Sequence, residues 1–484
     1  MPAYAELLAR VRRMSALRDA AEILHWDQQV VMPPAGTEAR AAQLAAMSAS
    51  MHELLVAPET GRLLAESEKE ETDEAARAVL RELRWAYDRD TRVPMALVEE
   101  ISLAQARGYE AWVGARAKSD FAKFAPHLAT LLDLKRRYAE HAAPEVPAYE
   151  ALFQDYEPWI PLADARRNLT ELRAGLKPLV EKAAKQPARE DAFAGGWPRA
   201  AQEALCRRVV EMLGYDFARG RLDVSPHPFS AGGAHDARIT TRYEDATPVP
   251  SLLGAVHEAG HALYMQGLPA EHMGTPLGDA RDLVVHESQS RLYENHVGRS
   301  LGFWERVVPM LRETFGHAPA SPEDAWREVN RVEPSLIRVE ADEITYHMHV
   351  ALRLELEEGL ISGNLPVAEL PHRWNEAMRR DLGLTPPDDA HGVLQDMHWS
   401  TGSFGYFPTY SLGSMLSAQL MEAYERGGQR AQDYPGLLAW LRANVHAHGK
   451  RYKTGELVER ATGRALSPEA FLRYASAKYA RVWA

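Results

Sequence analysis

Five residues near the middle of the chain, His257-Glu258-Ala259-Gly260-His261, constrain its fold more than any other segment. The pattern H-E-x-x-H has a chemical meaning only on an α-helix. At 3.6 residues per turn, His257 and His261 stack on one face about 6 Å apart, so both imidazoles reach one zinc ion. Glu258 lies roughly 100° around the helix from His257, turned toward a metal-bound water rather than toward the metal. The metal lowers the pKa of that water toward about 7, and a neighbouring carboxylate can take its proton during attack on a carbonyl. The bland alternative is an amphipathic helix with two solvated histidines. Leu252, Leu253, Val256 and Leu263 argue against it, because they make the segment largely apolar. Gly254 and Gly260 each cost a helix about 1 kcal/mol, which is easier to understand if another backbone approaches closely.

Such a site needs a third protein ligand. A metzincin would carry glycine at position 264 and histidine at 267; the chain has Tyr264 and Gly267, which excludes that arrangement. The other common solution is a glutamate on a following helix. Leu283 to Val297 predicts a helix and contains His286-Glu287-Ser288-Gln289. Glu287 is the leading third ligand, giving a His₂Glu site with an open fourth position. His286 competes with it, although adjacent helical residues point about 100° apart.

Around this segment the chain reads as mostly helical. Apolar residues recur at three- and four-residue spacing, as in Leu7, Leu8, Val11, Met14 and Leu17. Breakers cluster at Gln186–Pro198, Ser225–Pro250 and Leu382–Gly392, which predicts loops between helical blocks. Ala237 to Tyr243, with its β-branched residues, is the best strand candidate, and Ser251 the expected N-cap of the helix that follows. The expectation is a mainly α protein with a small β element just before the H-E-x-x-H helix.

Composition narrows the class. Lys and Arg number 56 against 68 Asp and Glu, a net charge of −12, which argues against a general nucleic-acid binder. No run of eighteen apolar residues is present, so no membrane partner is expected. Charges at Glu6, Arg10, Arg12, Arg13, Arg18 and Asp19 leave no apolar h-region, and Cys206 is the lone cysteine; a cytoplasmic protein is the expectation. Cys206 reads as core. His25-Trp26-Asp27 reads as a helix end, and His446 to Lys450 lacks the spacing of a phosphate loop.

Further motifs appear in order along the chain. They are His227-Pro228-Phe229, Asp236-Ala237-Arg238-Ile239-Thr240, Ile337-Arg338-Val339-Glu340-Ala341-Asp342, and Gly392-Val393-Leu394-Gln395-Asp396-Met397-His398-Trp399. With the two segments above, they make the chain resemble the carboxypeptidase Taq family of metallocarboxypeptidases over nearly its whole length. The resemblance implies one large helical metallopeptidase domain spanning 1–484, with helical lobes either side of a deep central cleft, and a homodimer. It implies a divalent ion, zinc as a rule with cobalt able to substitute, on His257, His261 and Glu287, with Glu258 as general base and acid. It further implies removal of single residues from peptides with a free C-terminus, with broad side-chain tolerance. A zinc oligoendopeptidase, or a helical peptide-binding protein with a degenerate site, is the alternative.

The remaining roles rest on chemistry. A terminal carboxylate is read well by a guanidinium, and Arg238 and Arg338 are the candidates; either could instead pair with Asp236, Glu340 or Asp342. Arg238 lies on the strand candidate, where an extended peptide could add as a further strand. Donors for the oxyanion come from Gln395, His398, Tyr406 and Tyr410. Resemblance to the wider group of helical H-E-x-x-H peptidases, including angiotensin-converting enzyme, favours His398 and Tyr406 as catalytic. Core packing beside Trp399, Phe404 and Phe407 is the other possibility for these rings. Asp236, His227, Gln395 and Tyr410 complete the candidate substrate-binding set, and His227 reads equally well as part of a structural turn.

Overall fold

The computed structural model describes residues 2–187 and 191–484; residues 188–190 of the expected Gln186–Pro198 loop lie outside the described residues. Among the described residues there are nineteen α-helices and one three-stranded sheet. The mainly α expectation holds. The N-terminal periodicity works as read: Leu7 and Val11 of helix Ala3–Val30 turn inward against Leu63, Leu64, Val79 and Leu83 of the next helices, forming an apolar cluster apart from the main one. The main cluster runs through the rest of the chain, from Trp112 to Val482, and takes in Cys206, which is fully buried.

The sheet comprises β1 (Gly220–Val224), β2 (Ser230–Gly233) and β3 (Asp236–Thr241), in the order β1-β3-β2. β3 is parallel to β1 and antiparallel to β2. The strand starts one residue before the expected Ala237 and ends before Tyr243, which turns into the core instead. Because β3 is central, both its edges are paired, so no peptide can add to the strand that carries Arg238. The edge open on the cleft side belongs to β2.

The H-E-x-x-H motif lies on helix Val249–Met265, buried on nearly every side. Ser251 is not its N-cap. The helix starts earlier, after Pro248, because Pro250 presets helical geometry in the first turn without needing an N–H partner. Ser251 instead donates its hydroxyl to Pro248 O and Gln202 Oε1, and its carbonyl accepts from Thr241 Oγ1 of β3 at 2.9 Å. That last bond ties sheet to helix.

Helix Leu283–Arg291 continues without a break into a π-helical stretch, Leu292–Gly298. It is wedged between Val249–Met265 and helix Pro408–Arg426. Two glycines make the wedge possible. A Cβ on Gly260 would stand 2.6 Å from Gln289 O and 2.7 Å from Ser290 Cα; a Cβ on Gly413 would stand 2.8 Å from Cβ and Cγ of Glu287. The close approach expected at Gly260 is therefore present. At Gly254 it is not: its nearest neighbour would be Thr241 Oγ1 at 3.4 Å, an ordinary contact.

A cleft of about 1310 Å³ opens between the first two helices and the main body, with β2, Tyr156 and His286 on its inner wall. His25-Trp26-Asp27 lies in the last turns of helix Ala3–Val30, as the helix-end reading expects. Trp26 is buried beneath the guanidinium groups of Arg221 and Arg238, 4.9 and 4.3 Å from its ring. Among the described residues no helix is long and apolar enough to cross a membrane.

The two glycines of the motif helix should respond oppositely to alanine. Gly254→Ala should be neutral or stabilise by about 0.5–1 kcal/mol through helix propensity. Gly260→Ala should destabilise by about 1–3 kcal/mol, because backbone rather than a mobile side chain stands in the way. Denaturant unfolding of both variants checks the pair; equal effects would mean the wedge tolerates a methyl group.

Candidate active site

His257, His261 and Glu287 converge. Each offers one ligand atom, and these atoms lie within 4.8 Å of one another. Glu287 Oε2 is 3.5 Å from His261 Nε2 and 3.9 Å from His257 Nε2. Donors bound at about 2.1 Å to a tetrahedral ion stand roughly 3.4 Å apart, so the set has the spacing a zinc-like ion needs. The wedge sets this spacing: His257 and His261 come from one helix, and Glu287 from the helix pressed against it at Gly260.

Two of the three donors are aimed by a partner, while His261 Nδ1 is buried without one. His257 Nδ1 pairs with Glu294 Oε2 at 2.9 Å, which leaves Nε2 to face Glu287. Burial alone would lower the His257 pKa, but the Glu294 hydrogen bond and the Glu287 charge raise it above the ordinary value. Arg291 serves both acids, donating from Nε to Glu287 Oε1 at 2.7 Å and from Nη1 to Glu294 Oε2 at 3.1 Å. Burial would push the Glu287 carboxyl up; Arg291, with His261 and His257, holds it well below the usual range. Glu287 is therefore a carboxylate at any working pH. His286, the competing ligand, stacks on the His261 ring at 4.4 Å, and burial pushes its pKa down to about 3. It packs the site instead of joining the donor set.

Glu258 is buried beside the two histidines. Burial raises its pKa, the His257 and His261 charges pull the other way, and a Ser230 hydrogen bond steadies the ionised form. A buried carboxylate beside the two imidazoles is placed to exchange a proton with a water molecule there.

A second cluster adjoins the first. Tyr406 takes a hydrogen bond from Tyr410, packs against Tyr156 and His398 with ring centres 5.0 and 5.4 Å away, and feels the Glu287 charge; burial lifts its pKa to about 12. Both hydroxyls stay protonated and able to donate. His398 is pushed down to about 4 by burial, with Arg338 and Arg353 adding to the effect and Asp396 opposing it. It is neutral at pH 7.

The arginines separate. Arg238 forms a two-armed ion pair with Asp236, at 2.9 and 2.8 Å, and lies over Trp26. Arg338 pairs with neither Glu340 nor Asp342. It donates to Asp396 Oδ1 at 3.0 and 2.8 Å and to Tyr346 OH at 3.2 Å, and its guanidinium lies 5.3 Å from the Tyr410 ring centre. Tyr346 also carries Arg291 over its ring, which links Arg338 to the donor set. Gln395 has no free capacity: Oε1 accepts from Arg338 N and Arg353 Nη2, and Nε2 donates to backbone carbonyls including Leu336 O. It braces the Arg338 backbone. His227 is exposed on the loop between β1 and β2, where its carbonyl accepts from Ser225 Oγ at 2.7 Å, which fits the turn reading.

The chain matches the carboxypeptidase Taq (M32) metallopeptidase family over residues 6–479. It belongs to that family. Its similarity to relatives runs end to end: 41% identity to thermostable carboxypeptidase 1 of Thermus thermophilus, covering 99% of each chain, and 37% to that of Pyrococcus furiosus, covering 98% of each. Among solved structures, an M32 carboxypeptidase from Deinococcus radiodurans R1 superposes with a TM-score of 0.96 at 36% identity, covering 100% of both chains. PZ peptidase A, at 12% identity and a TM-score of 0.65 over 99% of this chain and 96% of that one, shares the fold. The protein is a metallocarboxypeptidase acting on peptides, and M32 membership carries a divalent metal.

Sequence reasoning missed Glu294 and Arg291. Their signal was present: Glu287, Arg291 and Glu294 fall at i, i+4 and i+7, one stripe of the same helix. It also missed Tyr346 and the pairing of Asp396 with both Arg338 and Arg353, which no local spacing reveals. In this M32 enzyme, Glu294→Gln should weaken divalent-metal binding roughly 10–100-fold, as measured by chelator competition. Unchanged affinity would mean that His257 does not depend on this carboxylate for its aim.

Proposed function

We propose that this chain removes single C-terminal residues from peptides with broad side-chain tolerance, using a metal site formed by His257, His261 and Glu287 and proton transfer by Glu258. The observation that carries the reading is the convergence of three donor atoms beside a buried carboxylate, in a chain similar throughout to carboxypeptidases. The mixed imidazole and carboxylate donors suit zinc, with cobalt as a substitute. A bound divalent ion supplies Lewis acidity toward the scissile carbonyl and toward water.

The protein's own groups then divide the work. Glu258 takes the proton of the attacking water and returns it to the leaving amine nitrogen. Tyr406, with its hydroxyl protonated, and neutral His398 donate hydrogen bonds to the oxygen on which charge develops. Arg338 is the better of the two arginines for the terminal carboxylate, because Tyr346 and Tyr410 bring it beside the donor set while Arg238 is held against Trp26 and Asp236. Gln395 and Asp396 are positioning groups for Arg338. Tyr410 supports Tyr406. A single domain over 1–484, a homodimer and a cytoplasmic location complete the reading; they rest on the family resemblance and on the single cysteine.

The test is a matched pair of short peptides, one with a free C-terminus and one amidated, with and without chelator. Stepwise loss of terminal residues from the free acid alone, abolished by chelator and restored by zinc or cobalt, is expected. Cleavage of both peptides would replace this reading with an oligoendopeptidase. Glu258→Gln should lower kcat by about 10²–10⁴-fold while metal content stays at the wild-type level; an active Gln variant would remove Glu258 from proton transfer.

A further inference from the structure

β2 is the edge strand on the cleft side of the sheet. Its register pairs Ala231 with Arg238, and Thr240 N donates to Phe229 O, so Phe229 and Ala231 spend their backbone groups on β3. Ser230 and Gly232 therefore turn theirs outward. Ser230 also reaches Glu258 with its side chain, so this end of the edge adjoins the group proposed to transfer protons. At the other end, the outward N–H of Gly232 donates to Glu22 Oε2, on helix Ala3–Val30, at 3.0 Å.

Glu22 stands in an acidic neighbourhood. Arg18, one helical turn before it, is committed to Asp279 through hydrogen bonds at 2.9 and 2.8 Å and touches Asp19 at 3.4 Å. Asp19, Asp279 and Glu22 thus share one cation. Six carboxylates against three lysine or arginine side chains line the cleft as a whole. Like charges repel at these separations, so a peptide's terminal carboxylate is disfavoured here and its N-terminal portion is favoured. Strand geometry gives the reach: Ser230 and Gly232 are two residues apart, about 6.8 Å. If the residue before the cleaved bond lies opposite Ser230, the third residue upstream of that bond lies opposite Gly232.

We propose that Glu22 is a specificity residue for the hydrolysis. When a peptide lies along β2, it takes over the Gly232 N–H with its own carbonyl, and Glu22 pairs with a cationic group on the residue opposite Gly232. In a tetrapeptide that group is the α-ammonium; in a longer or N-blocked peptide it is a lysine or arginine side chain at the same place. The proposal deepens the carboxypeptidase reading above and rests on it.

The experiment measures kcat/KM of the zinc-loaded enzyme, at low ionic strength, for three tetrapeptides: one with a free N-terminus, its N-acetyl form, and an N-acetyl form with lysine as first residue. Both cationic substrates should exceed the neutral one by roughly 5–10-fold, mainly through KM, and the advantage should shrink in 0.5 M salt. In Glu22→Gln, which keeps shape and a hydrogen-bond acceptor, the ratio should fall toward one; Glu22→Ala should do the same. An advantage for the free N-terminus alone would assign the contact to the α-ammonium, and one for lysine alone to the side chain. A wild-type ratio near one, or a ratio that survives both substitutions, overturns the proposal. Failure of the wild-type enzyme to hydrolyse any of the three would overturn the carboxypeptidase reading itself, and the role of Glu22 with it.

Discussion

The contact on which this structure depends is the wedge of helix Leu283–Arg291 between two other helices. Gly260 on one side and Gly413 on the other leave no room for a β-carbon, so the backbones meet almost directly. Helices that close are fixed in register, because a shift of one residue would drive a side chain into a carbonyl. Glu287 sits at that point, with its own Cβ and Cγ against Gly413 and its carboxylate toward His257 and His261. The donor spacing is thus a consequence of backbone packing, not of flexible side chains finding one another. The carboxylate and both imidazoles inherit the rigidity of the core.

Electrostatics complete what packing begins. Two buried acids, Glu287 and Glu294, share one guanidinium, and Arg291 in turn lies over the Tyr346 ring. Across the site the arrangement is reversed: one buried acid, Asp396, is shared by Arg338 and Arg353. Removing the shared member, Arg291 or Asp396, strips a buried charge of its partner, which is far more costly than the net worth of the pair. Tyr346 touches both groups: its ring face lies under Arg291 and its oxygen accepts a hydrogen bond from Arg338. The side that would hold a metal and the side proposed to hold a terminal carboxylate therefore share a single aromatic hinge point, with their charges fixed before any ligand arrives. Preorganisation of this kind is what low-dielectric sites require.

Much of this was legible in the sequence because its signals are local. H-E-x-x-H, the glutamate helix and the strand before the motif all show within windows of about fifteen residues, and Gly260 announced a close approach by its helix cost alone. What was not legible depends on distance in the chain. Asp396 is 58 residues from Arg338, so nearer acids such as Glu340 and Asp342 were the natural candidates, and neither is its partner. The place of β3 at the centre of its sheet was hidden for the same reason: β1 and β2 have weak strand patterns, and β2 is only Ser-Ala-Gly-Gly. Gly254 misled because one glycine signal looks like another until the neighbouring backbone is known.

The sheet gives the cleft a direction. One end of the open edge of β2 lies by Glu258, and the other by the carboxylates of the first helix. Arg338, Tyr406 and Tyr410 gather in a second cluster, joined to the donor set through Tyr346. A peptide is itself a dipole of charges, positive at its start and negative at its end. A groove acidic at one end and cationic at the other orients such a molecule before any side chain is read, since the reversed orientation brings like charges together at both ends. On the proposed reading, broad side-chain tolerance and strict direction are compatible, because charge at the two ends of the peptide, more than residue identity, selects its polarity.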